Sequence, residues 1–132
     1  MQTYVLKVDL PGEGFAGVLE RTRKALAEEG FGIPTEMDTR ALFQQKLGKD
    51  SPARVILGAC LAPVAYEVLA LEPDLAALLP CNVVVREHAS GCEVTAVAPT
   101  ALFTLARNVD RAQAEFVEAR LRAVLDRVAG RS

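Results

Sequence analysis

The spacing of apolar residues switches repeatedly along this chain between a period of two and a helical period, and that switching dictates the class of fold. TYVLKVDL (residues 3–10) alternates, with Tyr4, Leu6, Val8 and Leu10 on one face and Thr3, Lys7 and Asp9 among those on the other, which describes a half-buried strand. From Gly14 to Glu29 the spacing becomes helical: Phe15, Val18, Leu19, Thr22, Ala25 and Leu26 share a face, and Gly30 suits the C-terminal cap. FGIPTEMD returns to strand spacing, and its internal Pro34 implies an edge position or a bulge. Asp38 can cap the next helix, TRALFQQKLG, which Gly48 closes. ARVILGAC is almost wholly apolar and reads as an interior strand. Pro63 suits the first turn of a further helix, Pro73 ends it, and DLAALL adds a turn or two. CNVVVREH and CEVTAVA flank the short turn ASG and form a hairpin. A long amphipathic helix closes the pattern from Asp110 to Gly130, with Val117, Leu121, Val124 and Val128 on its apolar face.

The order βαβαβαββα implies an α+β fold: a two-layer domain with a mixed, mostly antiparallel sheet and helices packed on one face. The 132 residues form a single domain, large enough to bury a core without staples. Arginines and carboxylates alternate along the helical stretches and the net charge is −2, so no basic stripe for nucleic acid is present. No basic segment followed by an apolar one opens the sequence, and no apolar run is long enough for a membrane span. Three cysteines without C-x-x-C spacing suit free thiols in a reducing, cytoplasmic setting.

Gly12, Gly14 and Gly17 spell G-x-G-x-x-G between the first strand and the first helix, with Glu36 and Asp38 at the distance of a ribose-binding acid. A dinucleotide-binding first strand is buried on both faces, whereas here Lys7 and Asp9 alternate with the apolar set. The glycines therefore read as a turn, and no cofactor is expected. Cys60, Cys81, His88 and Cys92 are the only soft or imidazole ligands. Cys81 and Cys92 open opposite strands of one hairpin, and Cys81 and His88 are separated by more than ~20 Å at ~3.3 Å per residue, so no metal site is expected.

Cys81 and Cys92 each share a strand face with apolar residues and read as core. Cys60 ends an interior strand just before a helix, where helix amides can stabilise a thiolate, although Pro63 contributes none. Cys60 and Cys81 meet if the broken helix folds back, and lie far apart if the connection is a simple parallel crossover. Glu36 and Asp38 alternate with Phe31, Ile33 and Met37, which places them together on a solvent face. Asn82 and Arg86 share a face with Val84 and either line a groove or face water.

GFGIPTEMD, VILGACLAPVAYEVLALEP and LLPCNVVVRE, in that order, resemble the domain of unknown function 302 family over nearly the whole chain. The resemblance implies a small two-layer α+β domain with no established activity, cofactor or catalytic residue. Relatives often carry an asparagine before the proline-containing turn, where this chain has Leu61-Ala62-Pro63. They also tolerate other residues at the cysteine positions. Three readings of function follow. The first is a homodimeric binding or assembly module, with a small-molecule ligand still to be identified. The second is a thiol-dependent redox or small-molecule-binding protein centred on Cys60 with Cys81. The third is an enzyme using Glu36, Asp38 or Arg86 in a pocket.

Overall fold

A computed structural model describes residues 3–131. Its strands are β1 (Val5–Pro11), β2 (Gly32–Asp38), β3 (Arg54–Cys60), β4 (Cys81–His88) and β5 (Gly91–Val97). Its helices are α1 (Phe15–Glu28), α2 (Thr39–Leu47), α3 (Ala62–Leu71), α4 (Pro99–Leu102) and α5 (Arg111–Val128), with 3-10 turns at Pro73–Leu78 and Phe103–Leu105. The five strands form one sheet in the order β1-β5-β4-β3-β2. Every pairing is antiparallel, a stricter arrangement than the mixed, mostly antiparallel sheet that the sequence implies. The segment from Pro99 to Leu105, to which sequence periodicity assigns no element, forms α4 and the second 3-10 turn.

Register explains the core. Leu6, Ala96, Val83 and Leu57 lie in one row across four strands, and Val8, Val94, Val85 and Val55 lie in the next. Leu57, Val83, Val85 and Val94 are completely buried, as are Val18 and Leu26 of α1 and Leu121 and Val124 of α5. Each such side chain contributes roughly 1.5–3 kcal/mol of transfer free energy. On the opposite sheet face Lys7, Asp9, Ile56, Val84, Arg86, Glu93 and Thr95 are half-buried or exposed. A smaller apolar cluster of Val68, Leu75, Phe103 and Ala114 joins α3, both 3-10 turns and α5.

Edge strand β2 carries the bulge that Pro34 suggests: Gly32 pairs with Cys60 and Thr35 with Gly58, so Ile33 and Pro34 together oppose Ala59. The extra residue changes the phase of the strand. Phe31 is buried, yet beyond the bulge Glu36 and Asp38 pair with the core-facing Leu57 and Val55. The two carboxylates therefore point to the helical side, and Met37, 48% exposed, takes the other face. The two share one face and are both exposed, as alternation implies, but the face is the helical side of the sheet. Asp38 Oδ1 accepts from the Ala41 amide at 3.0 Å and caps α2, which ends at Gly48 in the left-handed region (φ 63°).

The G-x-G-x-x-G stretch makes a turn. β1 is an edge strand paired antiparallel to β5, so the parallel units of a dinucleotide crevice are missing among the described residues. Gly12 (φ 75°) donates its amide to the Ser90 carbonyl at 2.7 Å and ties this turn to the hairpin tip.

An ionic clamp holds α1 to α5. Glu29 accepts from Arg127 Nε at 2.6 Å and from Arg120 Nη1 at 3.2 Å, and Arg21 donates to the Val128 carbonyl at 2.9 Å. The Arg127 hydrogen bond, reinforced by Arg120, holds the Glu29 carboxyl below its usual range against the opposing effect of burial. A lowered folded-state value stabilises above the unfolded pKa of ~4.3 and is lost as pH falls through the folded value. Glu29→Gln is expected to lower unfolding free energy by about 1–3 kcal/mol at pH 7. In urea melts the gap between wild type and variant should close as the pH drops below ~4.

Candidate functional site

The antiparallel return from β3 to β4 decides where the candidate residues meet. α3 and the Pro73–Leu78 turn fold back over the sheet, so that Cys81 pairs with Ala59 and sits beside Cys60. Of the two geometries open to these thiols, the chain adopts the one that brings them together. Both are free.

They share the wall of a cavity of about 260 Å³. β2 supplies Pro34 and Thr35 and the preceding Phe31; β3 supplies Ala59 and Cys60. Leu61, Val64, Ala65, Val68 and Leu69 come from the start and body of α3, and Ala76, Leu79 and Pro80 from the turn that follows. Cys81, Phe103 and Val117 complete the lining. The cavity thus lies where the main core and the smaller apolar cluster adjoin, and no lining residue is charged.

Gly58 makes this end of the sheet possible. A Cβ there would lie 2.0 Å from Thr35 Oγ1 and 2.6 Å from Pro80 Cγ. Only a bare backbone lets both side chains close over β3.

Burial pushes the Cys81 thiol up to about 11, with the neighbouring Cys60 adding to the shift. Burial thus favours the protonated form of the Cys81 thiol at neutral pH. Cys60 is half-buried. Cys92 lies at the other end of the sheet, paired with Leu10 and Glu87, and its sulfur donates to the Glu13 carbonyl at 3.2 Å. Burial raises its pKa as well.

The other candidates do not join this site. Glu36 pairs with Arg23 of α1, and that hydrogen bond holds its carboxyl below the usual range. Asp38 caps α2. Arg86 donates to Glu93 at 2.8 Å on the opposite sheet face, where Lys7 also approaches Glu93 at 3.6 Å. Asn82 is exposed on that same face. An acid–base enzyme needs such groups to converge on one pocket, and here they are separated between two faces and held by structural partners. His88, at the hairpin tip, bonds through Nε2 to Asp9 Oδ1 at 2.7 Å, while Nδ1 accepts the Ser90 amide at 3.2 Å. Its ring pins edge strand β1 to the hairpin. No group of three or more His, Cys, Asp or Glu side chains suited to a metal ion occurs among the described residues.

Sequence reasoning reaches the two thiols and misses the rest of the wall. One local signal was available: α3 is strongly apolar, yet Val68 is its only buried residue, so its apolar surface exceeds what the core consumes.

With the fold and cavity defined, comparison with known proteins places the chain. The family profile of the domain of unknown function DUF302 matches residues 6–128. The chain belongs to the DUF302 family. A crystal structure of an uncharacterized conserved DUF302 protein from Bacillus stearothermophilus is similar, with a TM-score of 0.86 and 28% identity over 96% of this chain and 99% of that one. No curated protein matches. That similarity extends over nearly the whole chain, and no helix among the described residues is long and apolar enough to cross a membrane.

Gly58→Ala is expected to destabilise the domain by about 1–3 kcal/mol, read as a lower urea midpoint at unchanged slope. A midpoint equal to wild type would show that Thr35 and Pro80 do not depend on the bare backbone.

Proposed function

We propose that this DUF302 domain is a binding module for a small, uncharged, apolar molecule held in the cavity beside Cys60 and Cys81. One observation carries the reading: a cavity of about 260 Å³ with no charged residue on its wall. Binding sites of this kind are apolar hollows with a few polar groups that orient the ligand. Here Thr35, Cys60 and Cys81 are those groups. An apolar cavity of ~150 Å³ accepts benzene, so this one has room for a somewhat larger ring or a short branched chain. A dinucleotide has neither the size nor the polarity for it.

The test uses N-phenyl-1-naphthylamine, an uncharged dye that brightens in apolar surroundings. Saturable binding near one dye per chain supports the reading. Ala65→Phe, which projects a ring into the cavity, should weaken binding at least ~10-fold while leaving the melting temperature equal or higher. Dye binding unaffected by that substitution would count against this cavity.

Self-association is a second reading, favoured by a different surface. Met37, Ile56 and Val84 lie in register across β2, β3 and β4 on the face opposite the core, half-buried or exposed. Such a strip suits a two-fold contact between copies of this chain. Sedimentation equilibrium is expected to give a dimer, and Ile56→Glu a monomer. A monomeric wild-type protein at high micromolar concentration would dispose of this second reading alone.

A further inference from the structure

The cavity is chemically uneven in a way that narrows its ligand. Its hydrocarbon wall is interrupted only by the Thr35 hydroxyl and two thiols. Cys81 is 5% exposed, and no protein group among the described residues hydrogen-bonds to its sulfur. A buried, unpartnered sulfur on a cavity wall is best matched by a soft, polarisable ligand. The wall offers two thiols and no His, Asp or Glu, too few ligands for the four that a typical structural metal site needs. A neutral organic molecule needs no such ligand set. The two thiols also differ in access: Cys81 is buried, whereas Cys60, half-buried at the end of β3, lines the cavity and retains contact with solvent.

We infer that Cys60 is a covalent attachment point for an uncharged apolar molecule bearing a soft electrophilic carbon, of the α,β-unsaturated carbonyl class. This rests on the proposed cavity being the ligand site. In the step, Cys60 Sγ bonds to the β-carbon of the ligand. The π pair of the carbon–carbon double bond shifts toward the carbonyl, and the α-carbon takes up a proton in place of the one lost by the thiol. Atoms and electrons balance with no oxidant or reductant. The only titratable side chains on the wall are the thiols themselves, so the proton passes through water on the solvent side of Cys60.

The test compares two reagents with the same reactive ring, N-phenylmaleimide and its charged analogue N-(4-carboxyphenyl)maleimide. Rates at Cys60, Cys81 and Cys92 are read by peptide mass spectrometry on the native protein, each divided by the rate of the same reagent with glutathione. Cys60 is expected to react first, at least about tenfold faster with the uncharged reagent, because the cavity rejects the carboxylate. Excess N-phenyl-1-naphthylamine should slow that reaction. Cys60→Ser should abolish the fast adduct, and a cooperative urea melt with a midpoint close to wild type shows that the variant folds. Equal normalised rates for the two reagents, or first modification at Cys81 or Cys92, would overturn the attachment. If dye binding survives in that event, the cavity reading stands and only the covalent step fails; if dye binding is also absent, both fail.

Discussion

The packing of one sheet face against α1 and α5 sets everything else in this domain. Leu57, Val83, Val85 and Val94 lose all contact with solvent there, and they occupy the central strands β3, β4 and β5. A strand has a side-chain period of two, so a slip of one residue in any of these pairings would turn its buried valines or leucine to the opposite face. The apolar face thus fixes register. Register in turn places Ala59 opposite Cys81, brings Cys60 beside it, and puts Gly58 where Thr35 and Pro80 can meet over it. The cavity is a geometric consequence of a packing decision made elsewhere.

How much of this could be read from sequence follows from the range of each cause. Strand and helix periods are local, and the main elements, including the hairpin and the α5 face of Val117, Leu121, Val124 and Val128, lie where periodicity puts them. Caps are local too: Asp38 and Gly48 bound α2 as their chemistry suggests. The bulge at Ile33–Pro34 was legible as a possibility, but its effect on phase was not, because a shift by one residue shows only against the partner strand. That is why Glu36 and Asp38 stand on the helical side. The short helix at Pro99–Leu102 forms where the chain packs on α5, with Glu118 accepting from both the amide and hydroxyl of Thr100, and no periodic signal precedes it. The cavity wall is the least legible feature, since its residues run from Phe31 to Val117 and only the tertiary fold collects them.

The same contrast separates motif from site. The glycine pattern at Gly12, Gly14 and Gly17 is conspicuous in one dimension, yet in three it forms a turn tied by an amide to Ser90. Phosphate loops depend on a parallel strand as much as on glycines, and none accompanies this one among the described residues. The thiols carry the opposite lesson. Their sequence spacing leaves two geometries open, and an antiparallel return makes Cys60 and Cys81 neighbours on one wall.

What remains to be explained is why such a wall stays open. A sealed empty cavity of this size would cost about 6 kcal/mol at roughly 24 cal/mol per Å³, a large part of the ~5–15 kcal/mol that stabilises a typical domain. This one opens to solvent on one side, which lessens the cost but leaves apolar wall in contact with water. The remedy for stability alone lies in small steps: Ala59, Ala65 and Ala76 all border the space, and larger aliphatic side chains at any of them would fill part of it. A helix as apolar as α3, with only Val68 buried, could also sink further into the gap if collapse were all that shaped it. Three small residues and an under-buried apolar helix around one space are what the proposed ligand site requires.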